Sequence, residues 1–104
     1  MAARYRVRIA RSAELDLEEI CGFIAADSQD EADKFIQRLE AQIDTLDRFP
    51  ERCPLIPENE LLGTHYRHLL LGNYRLIYRI AGKTVFVMRV IHGARLLDAR
   101  MFEE

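Results

Sequence analysis

Gly72-Asn73-Tyr74-Arg75-Leu76-Ile77-Tyr78-Arg79-Ile80 (GNYRLIYRI) is the stretch that decides the fold. The opening Gly-Asn pair signals a tight turn, and the residues after it alternate with the period of a β-strand. Tyr74, Leu76, Tyr78 and Ile80 share one face, while Arg75, Ile77 and Arg79 share the other. The first face suits a core. The second carries two long cations about 7 Å apart.

The same period extends to both sides. Residues 66–71 and 84–91 read as further strands, joined to this one by short turns at Gly72-Asn73 and Ala81-Gly82-Lys83. Residues 5–10 alternate as well, with Tyr5, Val7 and Ile9 set against Arg4, Arg6 and Arg8. Between them the period becomes helical. Ser12 is a candidate N-cap with Glu14 and Asp16 in the first turn, followed by an apolar stripe of Ala13, Leu17, Ile20, Cys21 and Ile24. Ser28-Gln29-Asp30-Glu31 matches a capping box. It opens a second stripe of Ala32, Phe35, Ile36, Leu39, Ile43 and Leu46, which Pro50 stops near Phe49. Two helices so closely joined predict an antiparallel hairpin. All three prolines fall in residues 50–60, read as an irregular connection.

The order β-α-α-β-β-β predicts an α+β fold, an antiparallel helical hairpin packed on one face of a small, mainly antiparallel twisted sheet. Helices on one side leave the other face open, and Arg75 and Arg79 are expected there, with first-strand arginines and either Arg67 or Arg89 as candidates to join them. A plain solvated face, kept polar against aggregation, is the simpler account of them.

The 104 residues fit one domain, 1–104, and 49% hydrophobic with 31% charged content is ordinary for a globular chain. Neither a membrane span nor a signal peptide is visible, and Cys21 and Cys53 form no redox or metal spacing, so a cytoplasmic protein is expected. The net charge of −2 hides a segregation. Residues 1–11 carry +4, residues 12–60 carry −10 and residues 61–102 carry +6. One basic and one acidic surface follow.

No Gly-rich phosphate loop, metal-ligand spacing or nucleophile constellation appears. No cofactor, metal or sequence-specific nucleic-acid binding is expected. His92 is the best local acid/base, because its ordinary pKa suits neutral pH, although a histidine at a strand end is more often structural. Phe23, Leu61, Leu62 and Leu69 exceed what the core stripes require, so an apolar groove able to take a partner helix is expected.

Read in order, AELDLEEICGFIA (13–25), A-x-x-F (32–35), L-x-x-F-P (46–50), YRHLLLGNYRLIYRI (66–80) and RVIHGAR (89–95) resemble the RelE/ParE superfamily of bacterial toxins, also labelled plasmid stabilisation proteins. The resemblance leans towards the ParE branch. It implies inhibition of DNA gyrase, neutralisation by a ParD-like antitoxin in a toxin–antitoxin hetero-oligomer, and no active site. The RelE branch instead cuts mRNA on the ribosome, the alternative it implies here, with His92, Arg75 and Arg95 as catalytic residues. Arg75 matches the strand arginine that contacts phosphate in the ribonucleases, and Arg95 ends the HGxR motif. His68 stands where those enzymes tend to place a lysine, and LLDARMFEE after Arg95 contains no tyrosine or histidine. Both departures favour the ParE branch. Partner contacts are accordingly expected at Arg67, Arg75, Arg79, Arg89, Arg95, Phe23 and Leu69.

Overall fold

The computed structural model describes residues 4–102. The first alternating stretch forms β1 (Arg6–Ile9), and the chain turns at Ala10 into the helix α1 (Arg11–Asp27). Ser12 is not the cap. It lies inside the helix, and its hydroxyl donates 2.9 Å to the Met88 carbonyl, while Ala10 occupies the cap position without a side-chain bond. Ser28 does cap, as the capping box predicts. It is extended, its N–H still bonds Ile24, and its Oγ accepts the Glu31 N–H at 3.2 Å. One residue thus ends α1 and starts α2 (Gln29–Thr45), a cap worth about 1 kcal/mol.

The second helix stops four residues short of the sequence-based limit. Arg52 gathers the carbonyls of Thr45, Arg48 and Phe49, groups that the end of a helix leaves unpaired. Phe49 takes a left-handed conformation (φ 50°) before Pro50. Leu46, though past the helix, remains fully buried in the core. The connection is less irregular than its prolines suggest, with a 3-10 turn at Pro50–Arg52 and a one-turn helix α3 (Asn59–Leu62).

Strands β2 (Arg67–Leu71), β3 (Tyr74–Ala81) and β4 (Thr84–His92) form two hairpins. Each turn places glycine first with positive φ, Gly72 at 59° and Gly82 at 60°, the geometry that matches strand twist. The sheet order is β1-β4-β3-β2, with β1 parallel to β4 and the other pairs antiparallel. The α+β hairpin-on-sheet architecture predicted from the sequence is therefore the observed one. Ala13, Phe35, Leu39, Leu76, Tyr78 and Val87 belong to the core between helices and sheet.

The expected open face of the sheet is largely covered. A second cluster of Ile56, Ile77, Ile91, Leu97 and Met101 lies on that side, supplemented by Leu62, Tyr66 and Phe102. The 53–66 connection and a C-terminal 3-10 turn (Ala99–Phe102) supply its outer layer. A register shift enables it. Ile77 pairs with Arg89 but Tyr78 with Val87, so Met88 is an extra residue in β4. One extra residue flips every later side chain. Val90 thereby joins Val85 and Val87 on the helix side, and Ile91 turns under the sheet beside Ile77.

Candidate partner-binding surface

Arg75 sits in β3 on the second face, at the centre of a fastening that the sequence did not reveal. Its guanidinium meets the Glu58 carboxylate twice, Nη1 to Oε1 at 3.1 Å and Nη2 to Oε2 at 2.7 Å. Nη2 also donates to the Arg95 carbonyl at 2.8 Å, and Nη1 lies 3.4 Å from His68 Nδ1. Both partners of the ion pair are buried, with side chains 7% and 9% exposed. Glu58 further accepts the Leu97 N–H. The hydrogen bond from Arg75 holds the Glu58 carboxyl below its usual range, outweighing the opposing effect of burial. His68 is depressed as well, first by burial and then by the Arg75 charge. The solvent-facing role expected of Arg75 is thus corrected, because layers on both sides enclose it and a carboxylate already occupies its donors.

Arg89 and Arg67 are also engaged. Arg89 forks onto Asp16 (Nε to Oδ2 2.7 Å, Nη2 to Oδ1 2.9 Å) and donates Nη1 to the Met101 carbonyl at 2.8 Å. The hydrogen bond to Asp16 raises its pKa further. Asp16 accepts the Val90 N–H too, so one carboxylate ties α1 to β4. Arg67 donates to the carbonyls of Glu51 and Cys53. Leu69 is buried in the helix-side core. None of these three offers a free side chain to a partner.

The remaining candidates are available. Arg79 is half-buried with its guanidinium 4.3 Å over the Phe86 ring, and it makes no ion pair among the described residues. Phe23 is 77% exposed on α1, and Leu15 is 48% exposed two turns earlier. His92 and Arg95 are exposed at the end of β4 and the start of the following turn.

Phe23, His92 and Arg95 do come together. They line a cleft of about 370 Å³ with Glu19, Ile20 and Tyr74. The His92 ring stands edge-on to Tyr74, centroids 5.8 Å apart, and its Nδ1 accepts the Ala94 N–H at 3.2 Å. Turn hydrogen bonds from Gly93 to Asn73 and from Arg95 to His92 shape this end of the sheet. Arg75 lies beneath, holding the Arg95 backbone while its own guanidinium stays with Glu58. The cleft is amphipathic, with an aromatic and aliphatic floor and both signs of charge on its rim. Sequence reasoning missed Asp16, Glu19 and Tyr74 as parts of it, and Glu58 as the partner that holds Arg75. A cation inside an apolar strand is no sufficient signal for such a carboxylate, since Arg79, between Tyr78 and Ile80 in the same strand, has no ion pair among the described residues.

A family model described as the ParE toxin of the type II toxin–antitoxin system parDE matches residues 7–97. The fold is similar to a chain of the chromosomal ParDE toxin–antitoxin system from P. aeruginosa, with a TM-score of 0.68 and 20% identity over 88% of this chain and 98% of that one. It is similar also to a chain of the toxin–antitoxin complex RelBE2 from Mycobacterium tuberculosis, with a TM-score of 0.59 and 30% identity over 89% and 95%. No curated protein sequence matches.

Proposed function

We propose, from the premise that this chain belongs to the ParE toxin family of type II toxin–antitoxin systems, that it acts by binding DNA gyrase and is silenced by a ParD-like antitoxin in a hetero-oligomer. Gyrase as target places its work in the cytoplasm. No catalytic site of its own is assigned.

The observation that carries this reading is the buried Arg75–Glu58 pair. RNA cleavage by 2′-hydroxyl attack needs cations at the phosphate and a paired acid and base. Here the strand arginine is committed to a carboxylate, and after Arg95 the side chains of Leu97 and Met101 are spent on the second core. The His92 ring stands beside Tyr74 and accepts the Ala94 N–H, and among the described residues no acid or base hydrogen-bonds it.

Partner binding finds better support. Leu15, Glu19 and Phe23 recur at four-residue spacing and lie on one side of α1. The two apolar members of this stripe are exposed, and Phe23 borders the cleft. An exposed apolar patch with a polar rim is the usual mark of a protein interface. The RelBE2 chain, 30% identical, comes from a toxin–antitoxin complex, which supports an antitoxin as occupant.

The 30% identity with the RelBE2 chain favours a second reading, mRNA cleavage on the ribosome at His92 and Arg95. Purified protein incubated with gyrase and supercoiled plasmid, and separately with translating ribosomes, distinguishes the two. Trapped cleaved plasmid supports the proposal. Cut mRNA with intact plasmid replaces it by the second reading.

A further inference from the structure

Strand β1 is an edge, paired on one side only. In its parallel ladder with β4, Arg6 donates to Lys83 and Ala10 donates to Val87. Alternation then turns the N–H and C=O groups of Val7 and Ile9 outward, away from the sheet. Neither amide has an acceptor among the described residues. The edge therefore offers two donors and two acceptors in strand geometry.

The two sides of this edge differ in chemistry. Towards the helices lies a cleft of about 570 Å³ with Val7, Ile9 and Ile43 as its apolar lining and Asp44 and Asp47 at its margin. Ile9 is 38% exposed there. Towards the other face point Arg6 and Arg8, both exposed. Arg8 pairs across the sheet with Phe86, and Phe86 with Arg79, whose guanidinium covers the ring. Arg6, Arg8 and Arg79 have no carboxylate within ion-pair distance among the described residues. The end of the strand is occupied, since Tyr5 donates to the Asp47 carbonyl and Arg4 pairs with the Asp47 carboxylate.

We propose that the free edge of β1 docks an extended segment of a partner polypeptide in which apolar and acidic side chains alternate. Pairing with Val7 and Ile9 sends every second side chain of such a segment to one face. One set enters the Val7–Ile9–Ile43 cleft, whose lining favours apolar side chains and where Asp44 disfavours acids, Asp47 being paired with Arg4. The other set lies beside Arg6, Arg8 and Arg79, where acids are favoured. An opposite use of the same charges is to blunt a short edge against any pairing. The inference goes beyond the proposed function and concerns a surface separate from the Phe23 cleft, so it stands or falls independently of the gyrase reading.

A labelled ten-residue peptide alternating valine and glutamate, titrated into the full chain, tests the proposal by anisotropy and by residue-resolved amide exchange. Saturable binding is expected, with slowed exchange at Val7 and Ile9. Arg6→Glu with Arg8→Glu weakens it at least about fivefold. Both positions are exposed, so the fold is retained. A peptide with N-methylated backbone at alternate residues keeps all charges but loses the ladder, and it binds about tenfold more weakly or worse. Equal binding by the N-methylated peptide or by a valine–lysine peptide overturns the proposal. Unchanged exchange at Val7 and Ile9 also overturns it, leaving the arginines as guards of the edge.

Discussion

Arg75 Nη2 lies 2.7 Å from Glu58 Oε2, and this buried pair joins the middle of the sheet to a proline-rich connection and to the C-terminal segment. Removing one partner strands the other charge away from water, a change that costs about 3–5 kcal/mol. Arg75→Ala is therefore expected to lose much of the stability of a domain whose total is about 5–15 kcal/mol. Thermal unfolding measures the loss. Arg79→Ala, removing only a half-exposed stack on Phe86, shifts stability by about 1 kcal/mol or less. Equal effects of the two substitutions would contradict the placement of Arg75.

The same pair predicts acid sensitivity. His68 and Glu58 both have folded pKa values below their ordinary 6.5 and 4.5. The unfolded chain then binds protons first as pH falls, so each group contributes stability above its unfolded pKa and loses it on acidification. A shallow loss is expected to begin near pH 6.5 from His68, with a steeper one below about pH 4.5 from Glu58. Urea midpoints measured from pH 8 to pH 3 check this. Glu58→Leu combined with Arg75→Met should flatten the lower step, because neither side chain then titrates.

The helices and all four strands are legible in the sequence because each is long enough to repeat its period, and Ser28 is legible because a capping box is local. The second layer is not. Ile56, Leu97 and Met101 each enter the lower cluster from segments without a period, so no pattern announces them. Arg75 and Arg79 look alike on paper, two cations on the same strand face. What separates them is the return of Glu58 from seventeen residues upstream, a long-range contact that periodicity does not carry. His92, Arg95 and Phe23 were legible as candidates, but their meeting in one cleft depends on how β4 ends beside α1.

Asp16 should behave as a structural residue rather than as a mere partner of the helix dipole. It holds Arg89 at two points and caps the Val90 N–H. Asp16→Ala removes several charge-assisted hydrogen bonds from a largely buried place, for an expected loss of about 2–4 kcal/mol. Amide exchange at Val90 should quicken, and the Ala99–Phe102 turn should become easier to cleave by protease once Arg89 releases the Met101 carbonyl. Unchanged exchange at Val90 would show that Asp16 contributes nothing to the ladder.

Phe23 and Leu69 give opposite expectations although sequence reasoning grouped them as partner contacts. Phe23 is mostly exposed, so Phe23→Ala should leave stability within about 0.5 kcal/mol while weakening antitoxin binding tenfold or more, as aromatic anchors do. Leu69 is in the core, so Leu69→Ala should cost about 2–5 kcal/mol in folding. Calorimetric titration with the antitoxin and melting curves on both variants separate the two roles. Antitoxin affinity unaffected by Phe23→Ala would move the docking surface away from α1.

His92 decides between the two activities. Its ring rests against Tyr74 at the rim of an open cleft, so His92→Gln retains the fold and much of the local hydrogen bonding. A general acid or base contributes about 10²–10⁴ to a rate, and its removal from a ribonuclease would abolish toxicity at ordinary expression. A gyrase-binding toxin needs no proton transfer, and the same variant should then keep its growth inhibition and its trapping of cleaved plasmid within a few-fold. Arg95→Ala serves as the companion, because its carbonyl, the part that Arg75 holds, survives the substitution. Arg95→Ala should weaken a binding toxin through its lost contact while leaving ribosome-bound mRNA uncut, as in the parent protein. A hundredfold fall in mRNA cleavage on His92→Gln would place the chemistry in the Phe23–His92 cleft and exclude gyrase binding as the sole activity.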